Sequence, residues 1–228
     1  MNINDLKPAS QIAKQSGVKA LVYGPARVGK TRLVLTAPSP IMLDAEKGTG
    51  SLGDEGDSIP CWEANTVAGI DDFFKWLFSS KEVKKFDTIF IDSMSRITEI
   101  YLRHEIEVVK HKDDRQAYGE MARKVYNIAM GLLVMDNINV CLICKEKEGD
   151  DRVKKTKPYF EGNALDSKIP YDYNHIFRLD FYRFPGVKEK VLALLTEGTT
   201  NILAGHRYGD LYEYEEPNLT TLFEKCMS

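Results

Sequence analysis

The sequence predicts a single α/β domain, with a mostly parallel central sheet flanked by helices and a β-rich edge near the C-terminus. Three observations lead to this fold class. Four short apolar runs, of the kind that form strands buried on both faces, alternate with segments that have helical spacing of apolar residues. A glycine-rich loop, Gly24–Thr31, stands between the first of these strands and a helix. Finally, 43% of the 228 residues are apolar, which suffices for one domain with a packed core.

The first half of the chain is divided by its capping and turn residues. Ser10 and Gly17 suit the start and the end of a short helical lead-in within residues 1–18, so the main domain is residues 19–228. Apolar runs predict three strands, and Pro38 ends the helix after the glycine-rich loop. A polar, glycine-rich segment between the second and third strands predicts a loop. The predicted strands are 19–23, 40–46 and 59–64, and the loop is 47–58.

The second half is predicted from periodicity. Apolar residues recur at helical spacing in 67–79, and the apolar run 86–92 ends in an acid, as a buried strand can. From about residue 174 onwards, strand and turn patterns replace helical ones. The remaining predicted elements are helices at 95–110 and 119–135, a strand at 138–144, a charged loop at 146–157, strands at 175–183 and 190–195, and a hairpin near 207–213.

The glycine-rich loop has the pattern GxxxxGKT, which is typical of phosphate binding. A strand that ends in such a turn directs backbone N–H groups and the positive end of the next helix at a phosphate chain. Lys30 is then expected to reach the β- and γ-phosphates of a nucleotide, and the Thr31 hydroxyl to ligate Mg²⁺. The predicted nucleotide-binding residues are Gly24, Pro25, Ala26, Arg27, Val28, Gly29, Lys30, Thr31 and Arg32.

Two predicted strands end in carboxylates that suit the chemistry of a bound nucleotide. Asp92 closes the strand 86–92 and is expected to lie beside the phosphate loop on an adjacent strand, where it would hold the Mg²⁺ shell. Glu46, at the end of the strand 40–46, can orient an attacking water as a general base. Asp44 stays open as the alternative base, because alternation puts it on the same side of the strand.

Lys145 and Glu146 follow the strand 138–144, at the sheet edge where open α/β folds bind ligands. Either residue is placed to sense the γ-phosphate and to move the charged loop that follows. An ordinary charged strand exit, without a role in nucleotide binding, is the alternative interpretation.

The charged loop contains a local basic run. Basic residues beside aromatic ones suit single-stranded nucleic acid, because cations contact phosphates and rings stack on bases. Four acids dilute the run and the net charge of the chain is −3, so a solvated loop without a ligand stays open as well. The candidate DNA-binding residues here are Arg152, Lys154, Lys155, Lys157 and Tyr159, with Phe160 beside them.

Composition and motifs argue against several other classes. No run approaches the roughly 20 apolar residues of a membrane span, and the first residues lack the pattern of a secretion signal. Cys141 and Cys144 lie three apart on a predicted strand and so point to opposite faces, which argues against a shared metal or disulfide. We therefore expect a cytoplasmic protein with reduced cysteines and no membrane partner.

Taken in order, the segments GPARVGKT, MLDAEKG, TIFIDSMS and VCLICKE resemble the core of the RecA-type ATPases. The size of the chain and the segment AGHRYGDL near its end resemble, more closely, the phage-encoded RecA-core single-strand annealing ATPases, the Sak-four family. The resemblance covers roughly residues 18–215. It implies ATP with Mg²⁺, binding of single-stranded DNA, annealing during recombination in a phage-infected bacterial cell, and a homo-oligomer with ATP at subunit interfaces. A single-strand-binding protein is a further implied partner.

The resemblance also implies roles for particular residues. Arg207 matches the position at which these ATPases place a cation against the γ-phosphate of a neighbouring subunit. Glu46 matches the catalytic base, the loop after Lys145 matches one DNA-binding loop, and Asp113–Gly119, which includes Arg115, matches the other. The chain departs from the family where Lys145 stands in place of glutamine or histidine, and its N-terminal lead-in is short.

Two other functions stay open at this point. A small-molecule P-loop kinase would need an acceptor pocket and, usually, an arginine-rich lid. A structural or loader subunit would use ATP as an assembly switch and would function without the general base Glu46.

Overall fold

The chain forms one sheet with helices on both faces. The computed structural model describes residues 17–149 and 154–228, and the strands in them are β1 (Lys19–Gly24), β2 (Pro40–Asp44), β3 (Cys61–Glu63), β4 (Thr88–Asp92), β5 (Asn139–Glu148), β6 (Thr156–Pro158), β7 (His175–Tyr182), β8 (Val191–Leu195), β9 (Gly205–His206) and β10 (Tyr214–Glu215). The α-helices are α1 (Val67–Ser79), α2 (Met94–His104), α3 (Asp114–Leu133), α4 (Ala164–Asp172) and α5 (Leu219–Met227). Short 3₁₀-helices lie at Thr31–Thr36, Thr49–Ser51, Gly53–Ser58 and Lys81–Lys85, and a π-helical turn, Glu105–Val109, continues α2.

The centre of the sheet is parallel, as predicted. The strand order is β10-β8-β7-β1-β5-β4-β2-β3, with β6 paired to β5 and β9 to β7. Every pair from β7 to β3 is parallel, and β8 and β10 add the predicted β-rich edge in antiparallel pairing. The register pairs Gly24 with Lys145, and Asp92 with Asp44. Because parallel strands end at the same side of a sheet, these four residues share one border, which we call the carboxyl edge.

The strand order corrects one prediction about this edge. Asp92 does not lie on a strand adjacent to that of the phosphate loop, because β5 lies between β1 and β4. Sequence order alone does not reveal which parallel strands become neighbours, since each crossover can pass over one or more strands.

The charged segment after Cys144 also differs from its prediction. β5 continues to Glu148 and pairs antiparallel with β6, so the two described ends of the predicted loop 146–157 pair as the arms of a β-hairpin. The hairpin register pairs Glu146 with Pro158 and Glu148 with Thr156. Backbone hydrogen bonds form this extension without an apolar face, which is why its charged sequence resembled a loop.

Other element predictions need correction or completion. Asp113–Gly119, predicted as a loop, is the cap and first turns of α3, because the Asp113 side chain accepts the N–H of Arg115 at 2.9 Å. Residues 207–213 form no hairpin; β9 pairs with β7, and β10 with β8. Helices α4 and α5 were not predicted. The helical lead-in within 1–18 falls, up to residue 16, outside the described residues.

Two apolar layers cover the two faces of the sheet. In one layer α1 to α4 pack against the first face, and in the other the Thr31–Thr36 helix and α5 pack against the second. Cys144 belongs to the first layer and Cys141 to the second, which confirms that they point to opposite faces. Burial raises the pKa of both thiols. In the described part of the chain, none of the helices has the length and apolar composition needed to cross a bilayer.

Gly24 ends β1 at a point where no side chain fits, because a Cβ there would lie 2.2 Å from the carbonyl oxygen of Leu179 in β7. We expect Gly24→Ala to lower the free energy of unfolding by about 3 kcal/mol, since backbone has to move. The matched control is Gly119→Ala in α3, where a Cβ meets no atom within 4 Å. That change should raise the free energy of unfolding by roughly 0.5–1 kcal/mol. Urea unfolding measures both, and equal stabilities would contradict the packing of β1 on β7.

Candidate nucleotide-binding site

The phosphate loop is a tight turn closed by its own lysine. Arg27 and Gly29 have φ angles of 64° and 101°, which place them in the left-handed region and turn the backbone sharply. Lys30 Nζ donates to the carbonyl oxygens of Gly24 at 2.9 Å and Pro25 at 2.7 Å. Burial lowers the pKa of Lys30, and nearby carboxylates oppose this shift. A phosphate chain would offer the same ammonium an ionic partner in place of two carbonyls.

The other predicted binding residues of the loop present different groups. Ala26 is exposed, and the Val28 side chain is buried in the core, so both can contribute only backbone groups to a ligand. Arg32 is exposed and already paired, because its guanidinium donates to the Ser51 carbonyl and to the Glu55 carboxylate. Arg32 therefore connects the end of the phosphate loop to the 3₁₀-helices of the segment 47–58.

Thr31 and Asp92 meet at the position predicted for Mg²⁺. Thr31 Oγ1 donates to Asp92 Oδ2 at 2.6 Å, even though β5 lies between β4, which Asp92 ends, and β1, which leads into the phosphate loop. Asp92 is 2% exposed, and burial raises its pKa to about 6, against the opposing hydrogen bond from Thr31. A hydroxyl and a carboxylate are oxygen donors of the kind that Mg²⁺ takes alongside phosphate oxygens and water. The two side chains therefore fit the ion.

The raised pKa of Asp92 leads to a prediction for the nucleotide-free protein. A carboxyl group whose pKa rises on folding, here from 3.8 to about 6, stabilises the fold while protonated and loses that effect as the pH rises through this window. Asp92→Asn replaces the titratable carboxyl group with an amide, whose oxygen can still accept the hydrogen bond from Thr31. We expect the stability advantage of Asp92→Asn over the wild type to grow by about 2 kcal/mol between pH 4 and pH 7.5. Urea unfolding at both pH values tests this, and an advantage independent of pH would contradict it.

Glu46 lies two residues beyond β2, at the carboxyl edge. Its Oε1 accepts a hydrogen bond from Ser93 Oγ and lies 3.7 Å from Lys145 Nζ. Asp44, the alternative base, is fully buried and accepts the backbone N–H of Glu46 at 2.9 Å and that of Thr49 at 3.1 Å. Asp44 therefore shapes the turn that carries Glu46. The Glu46 side chain is 32% exposed and is the carboxylate of the two that a water can reach.

Lys145 joins β5, α2 and the hairpin. Its Nζ lies 2.6 Å from Glu99 Oε1, and its backbone N–H donates to Ser95 Oγ at 2.9 Å. Its carbonyl accepts the N–H of Tyr159 at 2.8 Å, and Ser95 Oγ in turn donates to the Tyr159 carbonyl. A shift of the Lys145 backbone would therefore reach the base of the hairpin directly.

Glu146, the alternative sensor, has a different partner. Arg178 Nε lies 3.1 Å from Glu146 Oε2, and Arg178 Nη2 lies 2.7 Å from Asp180 Oδ2. Glu146 is thus paired with β7, whereas Lys145 faces Glu46. Of the two candidate sensors, Lys145 is therefore the one next to the candidate base.

Four residues of this site were not predicted. Three of them lie in the segment SMSRITE directly after Asp92, and their position behind a strand-end carboxylate was a usable signal. No feature of the sequence points to the fourth, which reaches the site only through the pairing of β7 with β1. They are Ser93, Ser95, Glu99 and Arg178.

The candidate DNA-binding residues are distributed unevenly over the hairpin. Lys154 is exposed, Lys155 is half-buried beside it, and Arg152 lies outside the described residues. Lys157 Nζ lies 3.3 Å from the buried carboxylate of Asp166, which also pairs with Lys147 at 2.6 Å, so the charge of Lys157 is only partly compensated. Tyr159 and Phe160 are a separate case: the Tyr159 hydroxyl donates to Glu161, and Phe160 is fully buried and cannot stack on a base. Arg115 is exposed in the first turn of α3.

Arg207 lines a cavity of about 830 Å³ between α4, β7 and β9. Its guanidinium donates to the Tyr171 carbonyl and to Asn174 Oδ1, the latter at 3.4 Å, and lies 5.8 Å from the centre of the Tyr171 ring. Among the described residues, its hydrogen-bond partners do not include the phosphate loop of the same chain.

One family model and two solved structures are similar to this chain. A family model described as an AAA domain matches residues 16–208, from the start of β1 through β9. Two solved structures are similar at low identity. A KaiC-like protein from the hyperthermophilic archaeon Pyrococcus horikoshii is 15% identical, with 79% of this chain and 78% of that chain covered and a TM-score of 0.44. The RadB recombinase is 20% identical, with 79% and 81% covered and a TM-score of 0.44.

No curated protein matches the chain. The family match spans the phosphate loop, the Thr31–Asp92 pair and the whole parallel part of the sheet. The chain therefore belongs to the AAA domain family, whose ATP-binding core here is built on a mostly parallel sheet flanked by helices.

Proposed function

We propose that the protein hydrolyses ATP with Mg²⁺, binds single-stranded DNA in its ATP-bound state and promotes strand annealing in phage recombination. The observation that carries hydrolysis is the position of Glu46, which stands at the carboxyl edge with its carboxylate held by Ser93. Lys30, Thr31 and Asp92 would hold the phosphates and Mg²⁺, which supplies charge neutralisation when bound. Glu46 would orient a water for in-line attack and accept its proton.

The hairpin β5–β6 supports coupling to DNA. Its outer part carries Lys154 and Lys155, and its base is tied to the carboxyl edge through Lys145, Ser95 and Tyr159. A shift of Lys145 on ATP binding would therefore move the surface that bears the two lysines. This linkage suits a protein whose DNA affinity depends on its nucleotide state.

Annealing and self-assembly rest on the resemblance to the phage annealing ATPases. In an oligomer with ATP between subunits, Arg207 of one chain would stabilise the transition-state charge on the γ-phosphate bound to the next. Arg115 at the start of α3 would add a second contact to the strand. The bacterial cytoplasm during phage infection is the setting that this resemblance implies.

Fluorescence anisotropy of labelled oligonucleotides tests the proposal. Single- and double-stranded forms would be titrated with a non-hydrolysable ATP analogue, with ADP and without nucleotide, at two salt concentrations. We expect salt-sensitive binding of the single strand with the ATP analogue alone, followed by annealing activity on complementary strands. Absence of binding in every nucleotide state would refute the DNA part of the proposal.

Two double substitutions distinguish DNA binding by the hairpin lysines from attraction by the overall charge of the protein. Lys154→Ala with Lys155→Ala should weaken single-strand binding by about tenfold at moderate salt. Lys188→Ala with Lys190→Ala removes two exposed lysines between β7 and β8 and should leave binding unchanged. Equal losses in both double variants would show that bulk charge, and not the hairpin, attracts the DNA.

A further inference from the structure

A chain of charged side chains crosses the carboxyl edge from the candidate base to α2. Glu46 Oε1 lies 3.7 Å from Lys145 Nζ, and the same Nζ lies 2.6 Å from Glu99 Oε1. The other oxygen of Glu99, Oε2, lies 2.7 Å from Arg96 Nη1. The four charges sum to zero, and the Lys145 ammonium stands between two carboxylates but closer to Glu99.

Glu99 is well suited to hold this ammonium. Its side chain is 22% exposed, against 40% for that of Lys145. Burial alone would raise the pKa of Glu99, but the hydrogen bonds from Lys145 and Arg96 outweigh it and lower the pKa. Glu99 is therefore ionised at neutral pH, and Arg96 continues to neutralise it whenever Lys145 moves away.

The ammonium also stands next to the site of the nucleotide. The backbone of Lys145 is paired in register with Gly24, the first residue of the phosphate loop, and neighbouring strands lie about 4.8 Å apart. A γ-phosphate held by Lys30 would bring a third anion to this edge, with more charge than either carboxylate. ADP has no phosphate group at that position.

We propose that Glu99 is a positioning residue that holds Lys145 away from the nucleotide until ATP binds, so that exchange of Lys145 from Glu99 to the γ-phosphate lets the protein distinguish ATP from ADP. The inference rests on the proposed ATPase function and adds a residue to it. Exchange would also separate Lys145 from Glu46, which leaves the Glu46 carboxylate free to accept a proton from water. The backbone of Lys145 is hydrogen-bonded to Ser95 and Tyr159, so a backbone shift that accompanies the exchange would reach the base of the hairpin.

The experiment compares the affinities of a non-hydrolysable ATP analogue and of ADP, both with Mg²⁺, by isothermal titration calorimetry. Glu99→Gln removes the competing anion, so we expect the affinity for the ATP analogue to rise about three- to fivefold, with the affinity for ADP unchanged. Glu99→Asp keeps the charge and should stay near the wild-type ratio. Glu107→Gln, an exposed glutamate of the adjoining π-helical turn, is the matched control and should change neither affinity.

The effect of Glu99→Gln is also measured in a variant that lacks the Lys145 ammonium. Lys145→Met should lower the affinity for the ATP analogue and not that for ADP, and adding Glu99→Gln to Lys145→Met should then have no further effect. If Glu99→Gln alters both affinities equally, or still raises the affinity for the ATP analogue without Lys145, Glu99 does not act through Lys145 and the inference is wrong. Failure of the wild type to bind either nucleotide would refute the proposed ATPase function itself, and this inference with it.

Discussion

Glu46→Gln is expected to lower the ATPase turnover number about a thousandfold, because an amide cannot accept the proton of the attacking water. The glutamine keeps the size of the side chain and an oxygen acceptor for Ser93, so the turn after β2 should stay intact. Binding of ATP with Mg²⁺ depends on Lys30, Thr31 and Asp92 and should change less than twofold. Steady-state phosphate release and equilibrium nucleotide binding measure the two effects separately.

The control for this substitution is available on the neighbouring strand. Glu63→Gln makes the same chemical change at the end of β3, where Glu63 is exposed and pairs with Lys47 at 3.6 Å. Its turnover should equal that of the wild type. Glu46→Gln that still anneals DNA at the wild-type rate, despite lost turnover, would favour a subunit that uses ATP only as an assembly switch. Glu46→Gln with unchanged turnover would show that another group activates the water.

The predictable part of the fold follows from burial on both faces. β1, β2 and β4 are apolar runs that pack between two layers. A strand buried on both faces is recognisable as a continuous apolar run, without alternating polar residues. The acids that end them then fall at one edge by the geometry of parallel strands. For this reason the sequence predicts Asp92 and Glu46 near the phosphate loop without revealing the strand order. α5 has an equally readable pattern, with Asn218 as cap and apolar residues at helical spacing, although the strand patterns before it favour a β-rich end.

The unpredictable part depends on contacts between distant segments. The bond between Lys145 and Glu99 joins residues 46 positions apart, and neither side chain shows its partner in a local pattern. The hairpin β5–β6 is held by backbone hydrogen bonds and by the pairing of Lys147 and Lys157 with Asp166, which lies in a helix that was not predicted. Charges that seemed available for DNA in the sequence are thus partly used inside the protein.

Arg207→Ala is the second substitution with a large expected effect, a loss of about a thousandfold in DNA-stimulated turnover. Arg207 lines its own cavity and donates to Tyr171 and Asn174, so it has no described hydrogen bond to the phosphate loop of its chain. If it acts across an interface, the arrangement is head-to-tail, and each active site draws its phosphate loop and its arginine from different chains. Lys30→Ala should be equally inactive, because the phosphates lose their main cation.

Mixing the two inactive proteins tests the trans arrangement. In a random one-to-one mixture, half of the sites have an intact phosphate loop and half of their neighbours supply Arg207, so about a quarter of the wild-type rate should return. Arg183→Ala, which removes another exposed arginine, should be active by itself and serves as the control. No recovery at any ratio, with oligomers still formed, would contradict the trans arrangement. Recovery is possible only if the site is shared, because neither variant carries both groups in one chain.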